Sequence, residues 1–266
     1  MIADLTTSLL IGAAVAWTAG IASSLLATRA PRWHRLAQAC AVTGLACLVA
    51  VIASMWVSMQ RPPLRTLGET RLWYASLLVL IGLLLEWRLR TRSIRIPMLG
   101  FGLLFTAIAL ARPEEFEHTL MPALQSYWFV PHVVVYLTGY AALGLAAGTA
   151  TWEYYLARRE QRPVQIRVPR LLVRTGLAAL TCGLTFGALW AKEAWGTWWN
   201  WDPKEIWAFL AWATYLVLTH HERRLGEQRF LLSTVLAFAV ILGCWFLVNL
   251  LPVAETSVHQ YAVSPT

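Results

Sequence analysis

The sequence predicts an all-α polytopic membrane protein of about eight transmembrane helices, with both termini outward and a tryptophan-rich external loop between helices 6 and 7. Three observations carry this. Of 266 residues, 58% are hydrophobic and only 14% charged, at a mean hydropathy of +0.54, whereas soluble domains run near about 25% charged. Apolar stretches near the roughly 20 residues that span a bilayer recur along the whole chain. The basic residues, finally, gather in alternate connections.

In order, the apolar spans read as 6–27, 37–58, 72–87, 94–111, 129–152, 171–191, 205–221 and 230–252. The first has Asp4 as its only early charge and no basic leader, so it reads as a span rather than a cleavable signal peptide. The third and seventh are short. The seventh opens on Asp202-Pro203-Lys204-Glu205, a capping Asp with Pro at the first helical position and Glu at the third. The connection 153–170 is Arg-rich with two prolines and reads as a surface loop, and Glu86 and Glu153 read as snorkelling charges at span ends. No internal repeat or linker stands out, so residues 1–266 read as a single membrane domain.

The chain carries 22 basic and 14 acidic residues, a net charge of +8. In a soluble protein that excess would suggest nucleic acid. Here sixteen of the 22 fall in the connections after spans 1, 3, 5 and 7, among them Arg29, Arg32, Arg88, Arg92, Arg158, Arg170 and Arg223. The opposite connections hold Arg61, Arg65, Arg71, Arg112, Lys192 and Lys204 with most of the acids. By the positive-inside rule both termini and the tryptophan loop face outward. The charge is topological, and a nucleic-acid partner is not implied.

Cys40, Cys47, Cys182 and Cys244 all lie in apolar spans and form neither CxxC nor CxxCH. This argues against a zinc site and against haem attached covalently to this chain. Walker A, GxSxG and HExxH motifs do not occur.

Seven of the 15 tryptophans lie between positions 190 and 212. His132, one residue after Pro131 at the start of span 5, and His259, just beyond span 8, are expected at the same level as that loop. Two imidazoles from different helices over an aromatic shelf suit the axial positions of a haem iron. The plainer alternative is that both are belt residues of a membrane interface, but a belt is spread over helix ends and this cluster sits in one loop. His220, at the inner end of span 7, suits either the helix C-terminal dipole or an inner metal site. His221 points about 100° away from it, and His34 and His118 read as surface residues. Arg61, Arg65 and Lys204 are the outer-face cations that suit haem propionates.

Trp195-Gly196-Thr197-Trp198-Trp199-Asn200-Trp201-Asp202-Pro203-Lys204-Glu205 resembles the WWD signature, WGxxWxWDPKE, of haem-handling cytochrome c biogenesis proteins. Its WDPKE ending is similar to the CcsA/ResC branch of the System II cytochrome c synthase; the System I haem lyase shares that ending but is far longer. Arg61-Pro62-Pro63 with Glu69-Thr70 resembles the GRxPxxNxYES segment, with Gln60, Thr66 and Gly68 in place of Gly, Asn and Tyr. Ser126-Tyr127-Trp128, His132-Val133 and Gly139-Tyr140-Ala141 resemble SxWxxxHV…GYA. Trp207 to Trp212 and Tyr215 to His220 resemble W…TW…Y…LH. Val248-Asn249-Leu250-Leu251 to His259-Gln260-Tyr261 resembles VNLL…GLHSY, with Ser257-Val258 for Gly-Leu and Gln260 for Ser.

The resemblance covers about residues 56–261. It implies haem b as a transient substrate held at an external site by His132 and His259, over a shelf of Trp195, Trp198, Trp199, Trp201 and Asp202 in the loop 192–205. It implies attachment of the haem vinyl groups to the CxxCH thiols of an apocytochrome c, a lyase-type activity exerted in complex with a ResB/CcsB-type membrane partner. His220 falls where the family has an inner haem site. The implied location is a bacterial inner membrane or a thylakoid membrane, with the loop on the periplasmic or lumenal face. For Asp202 and Glu205 themselves, a capping box explains the spacing in full. Two other readings stay open: a haem exporter or chaperone without ligation activity, and a membrane cytochrome b carrying electrons.

Overall fold

The structure is a computed structural model that describes residues 2–27, 30–116 and 126–250. The described residues form eight long helices and two short 3-10 turns, with no strand. The helices fall into two compact units, Met1–His118 and Thr119–Thr266.

In the first unit, α1 (Ile2–Leu26), α2 (Pro31–Met59), α3 (Leu67–Leu89) and α4 (Arg95–Ala111) pack as a closed ring of antiparallel neighbours. Trp17 is the knob of its core. The ring is fully buried, fills the space left by Gly44 of α2 and Gly102 of α4, and donates its indole N–H to the Ala41 carbonyl at 3.3 Å. Small residues at such crossings let membrane helices approach closely. Tyr74 of α3 packs on Phe105 of α4, with ring centroids 4.6 Å apart.

In the second unit, α5 (Phe129–Glu160), α6 (Arg167–Trp195), α7 (Pro203–Leu225) and α8 (Glu227–Trp245) form a second bundle, followed by a 3-10 turn at Leu247–Leu250. Among the described residues six helices are long and apolar enough to cross a membrane: α1, α2, α3, α5, α6 and α8. The apolar α4, at 17 residues, is shorter, and α7 is not among the six. The short third span of the sequence reading becomes a helix of 23 residues, because a capping box at Thr66 starts α3 ahead of its apolar run.

Two expectations are corrected at the arginine-rich helix ends. Residues 153–170 are mostly helical: α5 runs to Glu160 and α6 starts at Arg167. Glu153 is the reason. Its buried carboxylate accepts from Arg162 Nη1 at 2.5 Å and Nη2 at 3.2 Å, and from the Gln165 N–H at 2.8 Å, folding the short turn around itself. Nor does Glu86 snorkel, since it pairs with the buried Arg95, the first residue of α4. Glu222 of α7 likewise pairs with Arg174 and, at 3.6 Å, with Arg170 of α6. Buried charges in an apolar protein persist where a partner compensates them.

Candidate functional site

The tryptophan loop is tied at both ends by backbone chemistry. At the near end α6 stops at Trp195, where Gly196 takes φ +79° and donates its N–H to the Lys192 carbonyl at 3.1 Å, a left-handed helix end that glycine adopts at no steric cost. The Lys192 ammonium donates to the Gly196 carbonyl at 2.8 Å and lies 5.9 Å from the Trp198 ring centroid. At the far end the Asp202 side chain accepts from the Lys204 N–H at 2.8 Å. Glu205 Oε2 accepts from the N–H groups of Asp202 at 3.1 Å and Asn200 at 2.8 Å. This is the capping box that the DPKE spacing predicts, with Pro203 in the first turn.

Held this way, the loop turns its rings out. Trp198 and Trp201 are 55% and 66% exposed. Trp201 sits at φ +56°, a left-handed conformation that costs a bulky L-residue about 1–2 kcal/mol. Trp199 packs edge-on to Trp201 at 5.9 Å, and its indole N–H is buried with no hydrogen-bond partner.

His132 lies in the first turn of α5, against the last turns of α6. Its Nδ1 is 2.9 Å from the Gly183 carbonyl. A carbonyl only accepts, so Nδ1 carries the proton and the lone pair of the neutral ring is on Nε2. The ring stacks on the buried Trp190 (5.5 Å, 22°), which packs against Phe129 at 5.5 Å and Trp195 at 4.8 Å. His132 is thus joined through Trp190 to Trp195, the first tryptophan of the loop. His259, its expected counterpart, lies outside the described residues, as does His118.

His220 is far from this end of the unit: fifteen residues of α7 separate it from Glu205, about 22 Å at 1.5 Å per residue. It is exposed and donates from Nδ1 to the Leu216 carbonyl of its own helix at 2.8 Å; His221 does the same to Val217 at 3.0 Å.

The three candidate cations have different settings. Arg61, in the first unit, grips Glu69 with both terminal nitrogens, at 3.0 and 2.8 Å, and Glu69 is fully buried. Arg65, in the same connection, is held below the ordinary arginine value by burial and then by the nearby Arg61 charge. Lys204 stands in the second unit just ahead of the apolar stretch 205–221, and burial pushes its ammonium down to about 8. A cation already bridged to a carboxylate, as Arg61 is, has less to gain from a further anion.

Sequence reasoning missed Trp190, Gly183 and Gly187. The glycines had a visible signal in Gly183-Leu184-Thr185-Phe186-Gly187, a small-xxx-small pattern on a membrane helix.

Comparison with known proteins points one way. Residues 5–254 match the family described as cytochrome C assembly protein. A cytochrome c biogenesis protein CcsA from Prochlorococcus marinus subsp. pastoris is 30% identical, with 79% of this chain and 78% of that one covered. The CcsA of Morus indica is 26% identical over 83% and 84% of the two chains. Among solved structures, cytochrome c heme lyase CcmF aligns with a TM-score of 0.73 at 19% identity, over 96% of this chain, which spans about half (49%) of that one.

Proposed function

The chain belongs to the cytochrome c assembly protein family, and from that premise we propose that it is a CcsA-type haem-handling component that presents haem b for attachment to apocytochrome c. It is an integral membrane protein of cytochrome c assembly; the site, the ligands and the chemistry are our reading. The observation that carries it is His132, whose Nδ1–H is given to Gly183 and whose ring stacks on Trp190 at the foot of an exposed tryptophan loop. That tautomer leaves Nε2 as the nitrogen that ligates iron, and a donated Nδ1–H makes an imidazole a better ligand. The residues fit the substrate in two further ways. The rings of Trp198 and Trp201 suit the apolar face of a macrocycle, and the orphan Trp199 N–H suits a propionate oxygen.

In this reading His132 and His259 hold the iron, and the tryptophans exclude water from the macrocycle. Lys204 receives a propionate, while Arg61 serves chiefly to close its own connection. Thioether formation is redox-neutral: the S–H of each substrate cysteine adds across a vinyl C=C. The chain therefore needs to supply no nucleophile, only orientation, which lowers such barriers by several kcal/mol. His220 belongs to a separate haem site at the other end of α7, completed by a ResB/CcsB-type partner. Its exposure suits a ligand shared with a second protein. The tryptophan loop faces the periplasm or the thylakoid lumen.

Co-expression of the full chain with an apocytochrome and the ResB/CcsB-type partner, in cells lacking any other lyase, tests the function. Covalent cytochrome c that disappears when this chain is omitted supports it. Haem delivered without thioether product favours the exporter or chaperone reading instead.

A further inference from the structure

We infer that the Gly183–Gly187 face of α6 is a positioning element for His132, a glycine slot that fixes both the place of the imidazole and the nitrogen it offers. The inference rests on the reading of His132 as a haem ligand and adds the residues through which α6 acts on it.

The slot follows from helix geometry. His132 and Tyr136 lie four apart on α5, and Gly183 and Gly187 lie four apart on α6, so each pair is stacked on one helix face. The helices are antiparallel, and the two rings meet the two gaps. A Cβ on Gly187 would stand 2.9 Å from both Cε1 and Nδ1 of His132, and one on Gly183 would collide with the Tyr136 ring. The Gly183 carbonyl belongs to the helical ladder and is shared, in the i to i−4 pattern, with the N–H of Gly187. It reaches a donor on another helix because the residue one turn on has no side chain to cover it. One substitution at 187 therefore acts on both the space for the ring and the bond that selects its tautomer.

His220 and His221 show what an unpositioned histidine does here. Each gives its Nδ1–H to the carbonyl four residues back on its own helix, at 2.8 and 3.0 Å, a bond that needs no neighbouring element. Of these three histidines, His132 alone has its tautomer set by a residue 51 positions away. Partners of this kind tune metal affinity by about 10- to 100-fold when lost.

The experiment titrates the purified full-length chain in detergent with haemin and records visible spectra for the wild type, Gly187→Ala, His132→Ala and Gly139→Ala. Gly139 lies on the same α5–α6 contact, where a Cβ would meet Leu180 and Ala179 at 3.2 and 3.3 Å, and serves as the packing control. The expected result is that Gly187→Ala binds haemin about 10- to 100-fold more weakly, with the two-ligand low-spin spectrum lost as in His132→Ala, while Gly139→Ala keeps it. An unchanged spectrum in Gly187→Ala beside a changed one in His132→Ala overturns the positioning role and leaves the ligand reading standing. An unchanged spectrum in His132→Ala overturns both. Equal losses in Gly187→Ala and Gly139→Ala reduce the slot to helix packing and overturn it. If Gly187→Ala does not accumulate, the His132→Ala/Gly187→Ala double variant decides. Recovered protein level there assigns the defect to the ring contact, and continued absence assigns it to packing and overturns the proposal.

Discussion

Two connections in this protein use the same device to opposite ends. Residues 60–66 lead into α3 and residues 196–202 into α7, and each ends in a capping box whose Glu collects N–H groups from the turn before it. Glu69 Oε2 accepts from Arg65 at 2.7 Å and Thr66 at 3.3 Å; Glu205 Oε2 accepts from Asn200 and Asp202. In the first connection that carboxylate also takes the Arg61 guanidinium, and Pro63 and Leu64 are buried, so the turn closes on itself. In the second, no cation among the described residues bridges to Glu205. Within the turn Thr197 Oγ1 donates to Asn200 Oδ1 at 2.6 Å, while Trp198 and Trp201 stay exposed and Trp201 holds a left-handed backbone. An identical cap thus anchors a sealed turn in one unit and an open aromatic shelf in the other, and what separates them is the residue chemistry between the caps.

The comparison breaks most visibly at the sealed turn. Glu69→Ala strands Arg61 and two N–H groups, and removing one partner of a buried pair costs about 3–5 kcal/mol. Thermal melts of the full chain in detergent are expected to show that loss, while Glu205→Ala, which strands N–H groups but no cation, costs about 1–3 kcal/mol. Equal losses would mean that Arg61 contributes nothing to the turn.

The open turn gives a smaller effect of opposite sign. Trp201→Gly removes a side chain from a left-handed position and is expected to leave stability unchanged or raise it by about 1 kcal/mol, while haemin affinity falls. A variant that loses stability and affinity together would make Trp201 a structural residue.

The smallest effect concerns charge beside the shelf. With the Lys204 ammonium pushed down to about 8 by burial, its positive charge is present below that pH and lost above it. Haemin affinity is expected to fall several-fold as pH rises through 8 in the wild type and to stay level in Lys204→Arg, whose guanidinium remains charged. Parallel pH profiles would remove Lys204 from the propionate site.

The parts legible in the sequence are those set by neighbours in the chain. Apolar runs located the eight helices, and Asp202-Pro203-Lys204-Glu205 fixed the start of α7 because a capping box is local. Contacts between distant residues were not legible. Glu86 and Glu153 read as interfacial charges because the arginines that bury them lie across a turn, and 153–170 read as a loop because its charges hid a continued helix. The same holds for His132. Its position beside a tryptophan cluster was visible, but the Gly183 carbonyl that sets its tautomer is 51 residues away, and the glycine pattern at 183 and 187 carried no sign of which ring it receives.

The most direct test of the central claim is the visible spectrum of the haemin-loaded full-length chain, wild type against His132→Ala. The account predicts a low-spin, two-ligand spectrum in the wild type that collapses in the variant at undiminished protein level. Identical spectra and haem content in the two would contradict it.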